Sequence, residues 1–531
     1  MNSSYDNFIK LAIGRKIFDQ KYFLKYKKEI SKKLGLALPR NADLREHYEK
    51  MITKNITKRN PDFEKILLSK KIRTESGVAV LAVLTKPYPC PGKCIYCPTE
   101  KEMPKSYLSN EPAVMRALSA KFKPYVQVQK RIRALELNGH KTDKIELIVM
   151  GGTFSYFPKS YQEKFILECF RACNDYPKKV ASRKNKVGSR KLLSIEQKKN
   201  ETTRHRIIGL TLETRPDYIN EKELINFRNL GCTRVELGVQ SIFDDVLEKN
   251  QRGHNIEKTI EATRLLKDFG FKINYHIMPG LLGSSIKRDY LMFQELFTNP
   301  NFQPDMLKIY PTIVIKQSEL YNLWKNGKYK PLTDKSFENF ILKIKNKIVP
   351  PYVRISRLVR DVPESSIIAG PKISNLRQLI AKNSNCPCIR CREVRINYNS
   401  KESAVLHRIN YTASNGQEIF LEYVSPDKKK LFALLRLRIP SNNPTLPVLK
   451  NSAIIREVHT YGKMTEIDKK NSLSPQHIGF GRKLIQEAEK ITKKEFGLKK
   501  IVVISGVGVR GYYRKLGYKL KDSYMVKKIL K

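Results

Sequence analysis

Residues 87–100 read PYPCPGKCIYCPTE, which sets Cys90, Cys94 and Cys97 at C-x3-C-x2-C just after an apolar run, Val78–Leu84, of strand character. Thiolates are the usual ligands of iron–sulfur clusters. Three of them hold three corners of a [4Fe-4S] cluster and leave the fourth iron open to a small molecule. A structural zinc would want four protein ligands, and no fourth Cys or His lies close in sequence. The stretch therefore predicts a cofactor carried on the loop after a first strand.

Working outward, short apolar strands followed by amphipathic helices recur from about residue 76. The predicted strands are Val78–Leu84, Ile145–Met150, Ile207–Glu213, Arg234–Val239, Lys272–Met278, Asp305–Tyr310 and Tyr352–Ser356. This run predicts an α/β parallel barrel or partial barrel over 76–380, with functional residues at the carboxyl ends of the strands. Gly151, Gly152 and Thr153 follow the second strand, where paired glycines let the backbone approach a ligand closely. Glu213 and Arg215 end the third, and Arg215 reads equally as a ligand group or as half of a structural ion pair. Gln240 and Ser241 end the fourth, and His276 stands near the end of the fifth. Gly151, Gly152, Glu213 and Gln240 are the candidates to meet the small molecule at the cluster. Between the second and third units, Lys178–Arg206 holds eleven basic residues and two acids with little hydrophobic pattern, which predicts an exposed insertion.

A cysteine-rich connector, AKNSNCPCIRCREVR, occupies 381–395. Its Cys386, Cys388 and Cys391 could take a zinc ion that pins the connector, although no fourth ligand is evident; cysteines with no shared ligand and, behind them, a second iron–sulfur cluster are the alternatives. Over 396–531 the texture changes to an α+β domain, with strands at 429–438, 454–461 and 500–505, a helix at 481–494 and a short helix at 512–516. Gln476, Gly479 and Gly481 form Q-x-x-G-x-G leading into the longer helix. Free backbone N–H groups and the helix dipole make that turn a pyrophosphate cradle.

Across the 531 residues, 102 basic side chains face 51 acidic ones, a net charge of +51, so a polyanionic partner is the leading inference. Residues 1–75 predict a basic helical module, with Lys25, Lys27, Lys28, Lys32, Lys33 and Arg40 as candidate RNA contacts. The N-terminus lacks the apolar core of a secretory signal, and no apolar run approaches the ~20 residues of a membrane span. Nine cysteines in clusters suit a reducing compartment. A cytoplasmic protein without membrane association is expected.

The cysteine spacing after a barrel strand is the radical S-adenosylmethionine (SAM) signature, and the C-terminal order resembles the GNAT acetyltransferase fold, which binds acetyl-CoA. With YCPTE, IVMGGTF, TLETRPDY, CTRVELGVQS, KIYPTIVIKQSELY, REVHTYG, QHIGFG and SGVGVRGYYRKLGY, nearly the whole chain resembles the catalytic subunit of Elongator, the tRNA wobble-uridine acetyltransferase family. The resemblance implies that Cys90, Cys94 and Cys97 hold the cluster that cleaves SAM. It also implies that Lys144, Glu457, Val458, His459, Thr460, Phe480, Gly481, Arg482 and Tyr513 meet acetyl-CoA, with Lys144 and Tyr513 in catalytic roles. The implied reaction takes a hydrogen from the acetyl methyl, adds the resulting carbon radical to carbon 5 of the wobble uridine, and leaves a carboxymethyl group after thioester hydrolysis. The anticodon stem-loop of tRNA and accessory subunits are the implied partners; the electron donor is unassigned. A protein lysine acetyltransferase is the competing function, disfavoured because basic peptide tails would be repelled.

Overall fold

The computed structural model describes residues 4–15, 19–33, 38–68, 77–178, 189–395, 402–440, 446–462 and 479–529. Its first sheet contains β1 (Ala79–Leu84), β2 (Lys144–Met150), β3 (Arg206–Thr214), β4 (Arg234–Gln240), β5 (Lys272–Ile277), β6 (Met306–Ile309) and β7 (Arg354–Arg357), paired in chain order and all parallel. The end strands β1 and β7 do not pair, so the sheet is a half-barrel. Alternation explains its two faces. Ile145, Leu147, Val149, Val235, Leu237, Val239, Ile273, Tyr275 and Ile277 are buried under the surrounding helices. The opposite parity carries Glu146, Glu213, Arg234, Glu236, Lys272, His276, Lys308 and Arg354, and so gives the inner face a polar lining in place of the packed aliphatic layers of a closed barrel.

The second sheet contains β8 (Val405–Ala413), β9 (Gly416–Val424), β10 (Leu431–Ile439), β11 (Ala453–Thr460), β12 (Lys500–Val503), β13 (Lys519–Lys521) and β14 (Tyr524–Lys528), in the order β13-β14-β12-β11-β10-β9-β8. Only β11 and β12 pair in parallel, and only over Ala453–Ile455 against Ile501–Val503. Beyond Ile455 the longer β11 keeps its pairing with β10 but has no β12 partner, which opens a notch beside the helix Phe480–Lys494. The sequence reading missed β8 and β9. Their signal was the turn Ser414-Asn415-Gly416, where Ser414 and Asn415 take positive φ of 47° and 60°, as a tight hairpin demands.

A buried ionic cluster joins the second sheet to the amino-terminal ends of the first. A bulge in β11 opposite Arg436/Leu437 turns Arg456 toward the half-barrel. There its guanidinium donates to Asp305 (3.0 Å), Glu418 (2.9 Å) and the Phe271 carbonyl (2.6 Å). Arg438 donates to Asp268 (2.6 Å) and Glu418 (3.0 Å), and Lys267 stands 3.6 Å from Glu418. Burial alone would raise the Asp305 carboxyl, but Arg456, Lys267 and Arg436 draw it far below its ordinary range.

The connector adds a second joint. Its one-turn helix Ile389–Arg392 starts at Cys388, Ile389 N–H donates to the Val353 carbonyl (2.9 Å), and Arg392 donates to Glu422 (2.8 Å) on β9.

The N-terminal module is four helices, α1 (Ser4–Gly14), α2 (Gln20–Lys33), α3 (Asn41–Thr53) and α4 (Pro61–Leu67), around a core of its own that includes Phe8, Phe23, Tyr26, Tyr48 and Phe63. The supposed exposed insertion needs correcting. Residues 179–188 lie outside the described residues, but Ser189–Asn200 is a helix packed on the helix Lys159–Asp175. It buries Leu193, Glu196, Gln197 and Asn200. Asn200 donates to the His205 carbonyl (3.0 Å) and accepts from Ile207 N–H (2.8 Å), fixing the entry to β3. Mostly polar burial left no apolar period to read.

Replacing Arg456 with Ala removes the guanidinium that Asp305 and Glu418 share and leaves these buried carboxylates only Arg436, Arg438 and Lys267. The expected loss is about 3–5 kcal/mol, the usual cost of breaking a buried pair from one side. Urea unfolding should show it, and limited proteolysis should then separate the two sheets.

Candidate functional site

One cavity at the carboxyl ends of the first sheet is lined by Cys90, Cys94 and Cys97, by Gly151 and Gly152, and by Glu213, Gln240 and His276. These sequence candidates thus converge on one place. The three thiols sit on the loop after β1. The Cys94 sulfur accepts from the Arg252 guanidinium at 3.5 Å, and Arg215 packs against Gly92 of the same loop. Burial pushes the Cys94 thiol up, but the charge and hydrogen bond of Arg252 outweigh it and bring the thiol below its usual value. Burial and the neighbouring Cys94 push Cys97 up to about 11.

The chemistry of this corner fits an anionic cluster. Arg215 is paired through two nitrogens with Asp217 (2.9 Å each), yet its Nη1 is buried without a partner, as is Nε of Arg252. Both guanidiniums therefore bring uncompensated N–H groups to a site where three thiolates and an iron–sulfur core would carry negative charge. Spacing argues the same way. A single tetrahedral zinc gathers sulfurs to about 3.8 Å from one another. The described groups whose ligand atoms all lie within 4.8 Å are Cys386/Cys388/Cys391 and Glu213/Glu236/His276, so the sulfurs of Cys90, Cys94 and Cys97 do not all gather that closely, in keeping with the wider corners of a cluster.

Around them the backbone is shaped for a ligand. Gly151 and Gly152 take φ of +130° and +92°, and a Cβ on Gly151 would collide with Thr85. Gln240, at the bulge that ends β4, is held at φ 70° with its Oε1 buried and unpartnered. Glu213 accepts from the Tyr107 hydroxyl at 3.1 Å and stands 3.9 Å from Lys308; burial, only partly offset by Lys308, raises its carboxyl to about 7.

Sequence reading missed Glu236, Lys308 and Arg252. Glu236 accepts from Asn274 (3.3 Å) and pairs with His276 (2.9 Å) and Lys308. Although Glu213, Glu236 and His276 are close enough for a cation, the Lys308 ammonium already supplies the positive charge there.

The acetyl-CoA candidates lie at the opposite end. Lys144 begins β2, about 20 Å from the cysteine end at 3.3 Å per residue, and burial lowers its ammonium below its ordinary value. Glu457, on β11, accepts from Arg436 (2.9 Å) and stands 3.6 Å from Lys272 of β5. Burial opposes its ionisation, but Lys272, Arg436 and His459 bring it to about 2. His459 stacks on Tyr461 (centroids 4.3 Å), and Val458 packs on the second core.

In the notch, Gly479 (φ +85°) caps the helix Phe480–Lys494, and a Cβ on Gly481 would touch Thr460 Oγ1 and the Tyr512 hydroxyl, each at 3.5 Å. Phe480 packs on Tyr423 (centroids 4.6 Å), and Arg482 is exposed at the helix start. The Tyr513 ring is buried edge-on to Tyr518 (5.8 Å), while its hydroxyl is not among the sealed, unpartnered atoms and so opens outward. Gln476 lies outside the described residues.

The second cysteine triplet has the compactness of a single-ion site, with Cys386 and Cys388 buried and Cys391 exposed, and Lys345 donates to Cys391 at 3.4 Å. Among the described residues no fourth His, Cys, Asp or Glu joins it. On the N-terminal module, Lys25, Lys28, Lys32, Lys33 and Arg40 are exposed, Arg40 pairing with Asp43 (2.8 and 2.9 Å). Lys27 leaves that face: it is 6% exposed and donates to Asn41 at 2.9 Å.

Residues 88–292 match the Radical SAM superfamily, and residues 304–385 match the Radical_SAM C-terminal domain. A curated relative, the tRNA uridine(34) acetyltransferase of Methanocaldococcus infernus, is 47% identical over 482 residues, 87% of this chain and 88% of the relative. The Elongator complex protein 3 of Homo sapiens is 39% identical over 88% of each. Among solved structures, the archaeal Methanocaldococcus infernus Elp3 with its N-terminus deleted aligns with a TM-score of 0.73 and 43% identity, covering 85% of this chain and 99% of that one. No described helix is long and apolar enough to cross a membrane.

Anaerobic reconstitution of the wild type is expected to yield roughly four iron atoms per chain at this site. Cys94→Ala should lose that cluster and all 5′-deoxyadenosine formation while still binding nucleic acid; retained SAM cleavage would remove Cys94 from the ligand set.

Proposed function

Because the chain belongs to the tRNA uridine(34) acetyltransferase and Elongator complex protein 3 family, we propose that it places a carboxymethyl group on carbon 5 of the wobble uridine of tRNA, using acetyl-CoA and SAM radical chemistry. The observation that carries this reading is the pairing of two ligand corners on one clamped body: a cysteine-lined cavity at one end of the half-barrel and a glycine-rich helix start at the other, with a polar inner face between them.

With SAM bound, the cluster supplies a radical able to take hydrogen from an unactivated methyl, which no side chain can do. The chain's own groups do the rest. Cys90, Cys94 and Cys97 hold the cluster, and Arg215 and Arg252 balance its charge. Gly151 and Gly152 admit the SAM backbone, with Glu213 and Gln240 as its polar contacts. Free N–H groups at Phe480–Arg482 take the acetyl-CoA pyrophosphate, flanked by Val458 and Thr460. The Tyr513 hydroxyl faces the thioester, and Lys144, Glu457 and His459 line the base of the half-barrel where the acetyl group enters.

Exposed lysines of α2 grip the anticodon stem-loop, whose unpaired bases can be splayed out. Cys386, Cys388 and Cys391 hold a zinc ion that stiffens the connector. The setting is the cytoplasm, and accessory subunits belong to this reading because relatives are named as members of a complex.

The test is mass spectrometry of nucleosides from tRNA incubated anaerobically with the reconstituted protein, SAM, acetyl-CoA and a reductant. 5-Carboxymethyluridine should appear and should vanish when either cofactor is withheld; peptide acetylation with an intact cluster and unmodified tRNA would contradict the reading. For the RNA grip, charge reversal at Lys25, Lys28 and Lys32 should weaken tRNA binding and lower the slope of log K against log salt by roughly 0.7–0.9 per lost phosphate contact. Reversal at buried Lys27 should destabilise the module instead.

A further inference from the structure

The polar cluster beside the cysteine corner contains an imidazole that no part of the reaction has yet used. His276 Nε2 lies 2.9 Å from Glu236 Oε2. Glu236 is fully committed: Asn274 donates to Oε1 at 3.3 Å, and Lys308 donates to Oε2. Burial opposes its ionisation, but Lys308 and His276 overcome that, so it is a carboxylate and accepts only. Nε2 must then carry the hydrogen. Burial and the positive charges of Lys308 and Arg360 hold the imidazole neutral, which leaves the lone pair on Nδ1. Nδ1 has no hydrogen-bond partner among the described residues, and it is not one of the atoms sealed from solvent. It opens onto the cavity that the cysteines and Gln240 line, with Tyr310 edge-on to the ring at 5.6 Å. A carboxylate that fixes the tautomer and leaves the far nitrogen bare toward a ligand cavity is the arrangement of a general base.

We propose that His276, oriented by Glu236, is the base that takes the proton from carbon 5 of the wobble uridine once the new carbon–carbon bond has formed there. This rests on the reaction proposed above. Addition of the two-carbon radical across the 5,6 double bond makes carbon 5 tetrahedral, bearing both its hydrogen and the new substituent, and moves the unpaired electron to carbon 6. Restoring the double bond requires the carbon 5–hydrogen bond to break. Its proton passes to His276 Nδ1. Of its two electrons and the one on carbon 6, two remake the double bond and one leaves to a one-electron acceptor, a role that an oxidised cluster held by Cys90, Cys94 and Cys97 would fill. The imidazolium formed is held by the Glu236 carboxylate. Glu236 is thus a positioning residue.

The test compares wild type, His276→Gln and Glu236→Gln. Glutamine at 276 can still reach Glu236 through its amide, so the fold is kept while the base is lost. Positioned general bases are worth roughly 10²–10⁴-fold. Carboxymethyluridine formed per 5′-deoxyadenosine should therefore fall at least about 100-fold in His276→Gln, with tRNA and SAM affinities, measured by equilibrium titration, unchanged. Glu236→Gln should lose less product, yet show a larger deuterium isotope effect than wild type on tRNA carrying [5-²H]uridine, because proton removal becomes slower. An unchanged product ratio in His276→Gln, or a loss that tracks weakened tRNA or SAM binding, overturns the assignment. An unaltered isotope effect in Glu236→Gln overturns it too, even if the histidine variant fails to fold. Wild-type protein that modifies no tRNA would instead sink the reading on which this rests.

Discussion

Arg456 is the residue on which the geometry turns. Its guanidinium, 0% exposed on its side chain, binds carboxylates from both units: Asp305, which leads into β6, and Glu418 on β9. Asp305 also accepts from Ile273 N–H (2.8 Å), so the same carboxylate registers two strands of the half-barrel. Burying this much charge costs desolvation that ion pairing only repays when every donor and acceptor is placed, and an aliphatic interface could be as stable. What the ionic cluster adds is direction. It fixes the bulged strand β11, and with it the glycine-rich helix start, at the amino-terminal ends of the barrel strands.

That orientation makes the inner face of the half-barrel the common ground of both ends. Lys272 reaches Glu457 of the second sheet, Arg234 pairs with Glu146, and Lys308, Glu236 and His276 meet near the cysteines. A closed barrel would fill this space with branched aliphatics. Here the open edge and the polar lining leave room for ligand, and the charges are paired along the strands, so the cavity meets SAM with groups already held in place.

Much of this is legible in the sequence. The strands of the first sheet stood out as short apolar runs each followed by an amphipathic helix, and the cysteine loop announced itself by spacing alone. Lys308 and Glu236 escaped because one charge inside an apolar strand looks like a surface position; only the sheet's pairing shows that the two neutralise each other. Arg252 sits in a loop, QRGH, and meets Cys94 only through the fold. Lys27 was misjudged although periodicity held the answer: Phe23, Tyr26, Lys27 and Ile30 fall on one helical stripe, and its aliphatic stem packs there with the ammonium capped by Asn41. The hairpin β8–β9 hid behind weak alternation on exposed β8, though Asn415-Gly416 marked its turn.

In the proposed reaction, the radical made beside Cys90, Cys94 and Cys97 reacts with an acetyl group delivered from the second sheet. The most direct measurement uses acetyl-CoA deuterated at the methyl, with unlabelled SAM and tRNA, and follows the label into 5′-deoxyadenosine. Deuterium in the 5′-deoxyadenosine, dependent on tRNA, is the predicted result. Carboxymethyluridine formed while the 5′-deoxyadenosine stays free of deuterium would contradict the account.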